Sequence, residues 1–180
     1  MINYKGEALQ ITLRPWAIND VDDLVKFANN RNVAKHLMDR FPHPYTAADA
    51  TSFIAYANAA DPVCLFAIDI DGRASGGVGI EPQTDIYRKN AELGYWLAEP
   101  FWGKGIMTEV IRQMVDFAFR TFAIERIFAR PFGTNLASQK VLEKNGFVVE
   151  GRFEKVLFKN GEYYDELVYA IRRHQWLKQA

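Results

Sequence analysis

The sequence predicts a mixed α/β fold of the α+β kind, with helices interspersed along a largely antiparallel sheet of six to seven strands. Three observations lead there. Residues 63–70 and 74–80 are apolar runs of strand length joined by Asp71-Gly72, a dipeptide that favours a hairpin turn. Residues 103–122 place Ile106, Val110, Met114 and Phe117 or Ala118 at helical spacing, with Met107, Ile111 and Val115 widening the stripe. Two further alternating runs, 147–157 and 163–171, close the chain without an intervening helix.

The remaining elements fall between these. Residues 11–16 alternate and end at Pro15-Trp16, after which Asn19 or Asp20 caps a helix to about Asn30 with Val21, Leu24, Val25 and Ala28 inward. Mixed polarity and two prolines make 33–45 a long loop, and loops of that length often frame a site. A helix follows from Thr46 to about Ala59, with Phe53, Ile54 and Ala57 inward. Residues 91–98 form the third strand of a meander, 127–129 a short strand, and 135–145 a capped helix stopped by Gly146. The expected order is β-α-α-β-β-β-α-β-α-β-β, with about four helices. No repeat or linker interrupts it, so residues 1–180 are expected to form one domain.

Lys plus Arg and Asp plus Glu each total 22, so neither a nucleic-acid partner nor an anionic membrane surface is expected. The lone Cys64, inside Val63-Cys64-Leu65-Phe66, is expected to be a small buried hydrophobe. His36, His43 and His174 lack metal-ligand spacing, and no metal is expected. The first residues carry no basic region leading into an apolar stretch, so the cytoplasm is the expected compartment.

The informative segment is Gly94-Tyr95-Trp96-Leu97-Ala98-Glu99-Pro100-Phe101-Trp102-Gly103-Lys104-Gly105-Ile106-Met107-Thr108-Glu109, where a strand passes through a glycine turn into a helix. Unpaired N–H groups at a helix start and the helix dipole suit a phosphate, and glycine lets the backbone close around it. Glycine can equally serve turn geometry alone. A Walker A loop needs Ser or Thr directly after Gly-Lys, and a Rossmann fingerprint needs a third glycine near 108; both are absent.

Five spaced segments in order make the chain resemble the GNAT acyltransferases of the RimJ/RimL branch: Ile11-Thr12-Leu13-Arg14-Pro15, Ala91-Glu92-Leu93-Gly94-Tyr95-Trp96-Leu97, Trp102 to Glu109, Asn135 to Phe147, and Asn160-Gly161-Glu162-Tyr163-Tyr164-Asp165-Glu166. The resemblance implies a sheet splayed at its centre, acetyl-CoA as cosubstrate, and pantetheine lying in the opening beside Trp96, Leu97 and Ala98. It places the pyrophosphate on the 102–108 turn, at Trp102, Gly103, Lys104, Gly105, Ile106, Met107 and Thr108, with Lys104 as a mobile cation. The family pattern has Gln or Arg where Trp102 stands and Gly or Ala where Met107 stands; Met107 is expected to crowd the approach. Asn135 is implied to touch pantetheine and Ser138 to face the sulfur. Many family members carry a tyrosine acid at the position of Leu142, so Ser138, or water held by it, is the implied replacement.

An amine can attack a thioester directly if a base removes its proton. Glu92 is the first choice for that base, with Glu81, Asp165 and Glu166 in reserve; a salt bridge at a strand start is the alternative reading of Glu92. The implied function is N-acetylation of a primary amine, a protein N-terminus or a small molecule, in a ternary complex. The alternative is a noncatalytic acyl-CoA-binding sensor or adaptor. Phe41, His43 and Tyr45 on the long loop are candidates to shape the acceptor side, and a homodimer is compatible with the branch.

Overall fold

The computed structural model describes residues 2–4 and 7–178. The chain divides into two compact units, Met1–Gly79 with Tyr95–Val110, and Ile80–Gly94 with Ile111–Ala180.

In the first unit, β1 (Ile2–Tyr4) and β2 (Glu7–Leu9) pair as an antiparallel hairpin that the periodicity did not foretell. Strand β3 (Ile11–Pro15) pairs antiparallel with β4 (Leu65–Ile70), from Ile11↔Ile70 to Pro15↔Phe66. Asp71 and Gly72 both take positive φ, 51° and 83°, as a two-residue hairpin of the primed kind requires, and lead into β5 (Arg73–Pro82). Strand β4 begins at Leu65 and not at Val63. Cys64 precedes it, with its thiol donating to the Pro62 carbonyl at 3.2 Å, and is half-buried where a small buried hydrophobe was expected.

Asp20 does not cap the first helix. Its carboxylate instead accepts two hydrogen bonds from the Arg14 guanidinium, at 2.7 and 2.8 Å, and one from the Ala17 N–H at 2.8 Å. A turn of 3-10 helix, Ile18–Asp20, therefore leads into α1 (Val21–Ala28). The expected loop after it opens with a single helical turn, α2 (Arg31–Ala34), capped by Asn30. Thr46 caps α3 (Ala47–Ala57) reciprocally with Asp49, the arrangement that satisfies two orphan N–H groups at once. Trp16, Leu24, Ala28, Tyr45, Ala50, Ile54 and Ala57 bury together against Ala67 and Ala74.

In the second unit, β7 (Arg126–Ala129) pairs antiparallel with β9 (Glu162–Arg172), which pairs antiparallel with β8 (Val148–Lys159). Helix α5 (Leu136–Lys144) is tied to β9 by the Tyr169 hydroxyl, which donates to the Glu143 carboxylate at 2.9 Å. Burial and then that carboxylate push the Tyr169 hydroxyl up to about 12. A short α6 (Arg173–Trp176) ends the described chain. Its Arg173 donates to the carbonyls of Phe119, Phe122 and Ile124, each at 2.8 Å. Those are carbonyls in and after the last turn of α4 (Ile106–Thr121), where intrahelical donors run out.

Strand β6 (Asn90–Leu97) completes a seven-stranded sheet of order β3-β4-β5-β6-β7-β9-β8. One pair in it is parallel: β6 meets β7 through Asn90↔Arg126, Ala91↔Ile127 and Glu92↔Phe128. Beyond Glu92, β6 continues to Leu97. The mixed, largely antiparallel sheet agrees with the expected class. Four helices have eight residues or more, and α2 and α6 have four each. Helix α4 starts at Ile106, three residues after the expected start, because Gly103 and Gly105 hold left-handed φ of 73° and 76°. Ala118, not Phe117, completes its buried stripe.

Candidate active site

The turn ahead of α4 is built from the end of β6 onward. A 3-10 turn, Glu99–Phe101, with Pro100 inside it, stops the strand. Trp102 is extended at φ −68° and ψ 155°, and its indole N–H donates to the Leu97 carbonyl at 2.7 Å. The Ala98 N–H is spent on the Ser75 carbonyl at 2.8 Å. Gly103 and Gly105 then reverse the chain, and a Cβ on either would meet nothing within 4 Å. Glycine is therefore needed at both for the backbone angle, while the space over them is open. The Glu109 N–H donates to the Gly105 carbonyl at 3.3 Å. The first N–H groups of an α-helix lack intrahelical acceptors, and a helix start of this kind suits an anion.

One side chain in the turn departs from expectation. Met107 and Ile106 are buried, 9% and 1% exposed, so Met107 does not crowd the solvent side of the turn. The Lys104 ammonium stands 5.4 Å from the Phe101 ring centroid, within reach of a cation–π contact. Thr108 is half-buried in the first turn of the helix.

A clamp that the sequence did not reveal fixes the residue before Pro100. The Asn30 amide donates to Glu99 Oε2 at 2.7 Å and the Asn32 amide to Glu99 Oε1 at 3.0 Å. These two donors, Asn30 first, hold the Glu99 carboxyl below its ordinary range. The partners lie more than sixty residues apart in the chain, so no local spacing signals them.

Trp96 is half-buried, and Phe41 meets it edge-on at 5.6 Å between centroids. Phe41 also packs on Tyr45 at 5.1 Å. Of the loop residues expected near the acceptor, Phe41 reaches β6, Tyr45 is 4% exposed within the core, and His43 faces solvent. Burial, then the Asp49 charge, raises the Tyr45 hydroxyl to about 12. Burial and the neighbouring Lys35 charge hold His36 below its ordinary value.

In the second unit, Glu92 is gripped by Arg130. Nε donates to Oε1 and Nη2 to Oε2, each at 3.0 Å, in a two-pronged pair. Arg130 Nη1 stands 3.9 Å from Glu166 Oε1. Burial raises the Glu166 carboxyl; Arg130 opposes the rise and the Glu92 charge adds to it. Arg130 was not singled out in the sequence, because it falls in an irregular stretch after β7. Of the other two reserve carboxylates, Asp165 is paired with Arg152 at 2.7 Å, and Glu81 is exposed and adds its charge to the field at Arg130.

Asn135 caps α5, its Oδ1 accepting from the Ser138 N–H at 3.2 Å, which leaves its amide nitrogen outside the cap bond. Ser138 is half-buried in the first turn. Leu142, at the position of the family's tyrosine, is fully buried, and an apolar core residue offers no proton. Among the described residues, no group of three or more His, Cys, Asp or Glu side chains is arranged to hold a metal ion. No described helix is long and apolar enough to cross a membrane.

Comparison with known proteins places this geometry in a family. Residues 10–148 match the model of the acetyltransferase (GNAT) domain. The chain is 29% identical over 157 residues to the SPbeta prophage-derived uncharacterized N-acetyltransferase YokL of Bacillus subtilis (strain 168), covering 86% of this chain and 87% of that one. Among solved structures it resembles the Microcin C7 self immunity acetyltransferase MccE in complex with acetyl-CoA and AMP, with a TM-score of 0.78, 26% identity, and 90% and 92% of the two chains covered. It also resembles RimL, the ribosomal L7/L12 alpha-N-protein acetyltransferase, in complex with coenzyme A, with a TM-score of 0.77, 25% identity, and 90% and 93% covered. With the family model spanning most of its length, the chain belongs to the GNAT acetyltransferases, a family of enzymes with acetyl-CoA as cosubstrate, and within it is RimJ/RimL-like.

Proposed function

We propose that this protein moves an acetyl group from acetyl-CoA to a primary amine, on a protein N-terminus or a small molecule, by direct attack within a ternary complex. The observation that carries the reading is the 102–108 turn. Two glycines at left-handed φ precede a 16-residue helix, over open space. The diphosphate of the coenzyme is assigned to the backbone of Gly103, Lys104, Gly105, Ile106, Met107 and Thr108, with Trp102 bracing the turn. Pantetheine is assigned to the backbone of Trp96, Leu97 and Ala98 and to Asn135.

Acetyl transfer to an amine requires a proton acceptor and relief of charge on the departing sulfur. The acceptor is assigned to the carboxylates gathered around Arg130, with Glu92 among them, and the sulfur contact to Ser138. One domain spanning the chain is the unit of activity. A free α-amine is the favoured acceptor class. The resemblance to RimL, which acts on a protein N-terminus, supports it.

A second reading, a coenzyme-binding sensor or adaptor, is favoured by two features: the buried Leu142 in place of an acid and the engagement of Glu92 by Arg130. Thiol release from acetyl-CoA, screened across N-terminal peptides, amino acids and polyamines, separates the two. Release with at least one amine supports transfer. Coenzyme protection in a thermal shift with no release from any amine supports the adaptor.

A further inference from the structure

Glu92 has both carboxylate oxygens in the Arg130 fork, so giving it a proton means breaking a two-pronged, charge-assisted pair. Glu166 is placed differently. At 3.9 Å its nearest oxygen is beyond hydrogen-bond reach of Arg130 Nη1, and its side chain is 16% exposed. The two carboxylates share one guanidinium, and Glu81 adds negative charge to the field at Arg130. The group therefore carries surplus negative charge. Relief by one proton costs least at the carboxylate that is half-buried and least tightly held.

Position supports the same assignment. Glu92 pairs with Phe128 at the last step of the parallel β6–β7 register. Two residues beyond Arg130, Phe132 forms an isolated antiparallel bridge with Glu166. Glu92, Arg130 and Glu166 thus gather where the parallel pairing ends.

We propose that Glu166 is the general base of the acetyl transfer, and that Glu92 is a positioning residue that occupies the Arg130 fork and so keeps the guanidinium from pairing with Glu166. This deepens, and rests on, the acetyl-transfer reading. The amine nitrogen bonds to the thioester carbonyl carbon, and its proton passes to a Glu166 oxygen directly or through one water. The C–S bond then breaks with its electron pair on sulfur, and the proton leaves Glu166 for the thiolate or solvent. Burial and the Glu92 charge, against the pull of Arg130, raise the Glu166 carboxyl in the direction a base near neutrality needs.

The test compares Glu166→Gln and Glu92→Gln in the full chain. It uses pH profiles of thiol release together with carboxyl-carbon NMR titration of glutamate-labelled protein. Glu166 is expected to lose its proton above the ordinary glutamate range. In Glu92→Gln, where Arg130 is released to it, Glu166 titrates at lower pH and the acidic limb of kcat/KM moves down with it. Glu166→Gln lowers turnover by about 100-fold or more and removes that limb, with coenzyme affinity and melting temperature little changed. Glu166→Asp restores part of the turnover and the limb.

An unchanged acidic limb in Glu166→Gln, or a Glu166 carboxyl that titrates at or below the ordinary glutamate range, overturns the proposal. A Glu166→Gln chain that melts far below the parent, with no limb recovered in Glu166→Asp, also overturns it in favour of a structural role. Failure of the acetyl-transfer reading looks different: the unaltered chain then releases no thiol with any amine, wherever Glu166 titrates.

Discussion

The indole N–H of Trp102 donates to the Leu97 carbonyl at 2.7 Å, so the residue that opens the glycine turn also ties down the strand before it. Where the family pattern has a polar or cationic side chain, this chain has a brace between β6 and the turn. Trp102→Phe keeps the ring and removes the donor. The expected cost is about 1 kcal/mol of stability, read by chemical denaturation, with weaker acetyl-CoA binding by calorimetry because the turn loses its tie to Leu97.

Gly105 has open space around its absent Cβ but a φ of 76°. Substitution there carries backbone strain without a clash. Gly105→Ala should cost about 1–2 kcal/mol and Gly105→Val more, while Gly105→Asn, which tolerates the left-handed region, should cost least. If the turn binds the coenzyme, affinity for acetyl-CoA follows the same order in calorimetric titration.

Leu142 is fully buried where many relatives carry a tyrosine acid. Leu142→Tyr should therefore not supply the acid. It overpacks the core at a cost of about 1–3 kcal/mol and leaves turnover no higher than in the parent, checked by melting and thiol release. A gain in turnover would contradict the burial argument.

Arg14 joins Asp20 and Asp69 through bonds of 2.7 to 2.8 Å. Burial alone would raise the Asp20 carboxyl, but hydrogen bonds from Arg14 and Ala17 outweigh it and hold the group below its ordinary range. A depressed carboxyl contributes stability above its unfolded pKa of about 3.9, and the contribution is lost as pH falls through the lower folded value. Arg14→Ala should cost about 3 kcal/mol near neutrality, since Asp20 and Asp69 keep buried charge with no cation and only the backbone N–H groups of Ala17 and Gly72 to answer it. Denaturation midpoints from pH 7 to pH 2 should show the gap between parent and variant narrowing at the acid end.

Most of the fold was legible because it rests on local patterns: the Asp71-Gly72 turn, the helix that follows Thr46 and the apolar stripe of α4 are each written in neighbouring residues. The start of α4 was misplaced because periodicity does not see that Gly103 and Gly105 take positive φ. The first helix lost its expected cap because Asp20 is claimed by Arg14, a tertiary partner that overrides local preference. At the site, the glycine turn and the Asn135 cap could be read directly. The grip of Arg130 on Glu92 and of Asn30 and Asn32 on Glu99 could not, because each joins segments brought together by folding alone.

The central claim, that the 103–108 amides receive the coenzyme diphosphate, is tested most directly by following backbone amide resonances during titration with acetyl-CoA. The account predicts large, saturable shifts at Gly103, Lys104, Gly105, Ile106, Met107 and Thr108. Saturable binding that leaves those six amides unmoved, or no binding at all, would contradict it.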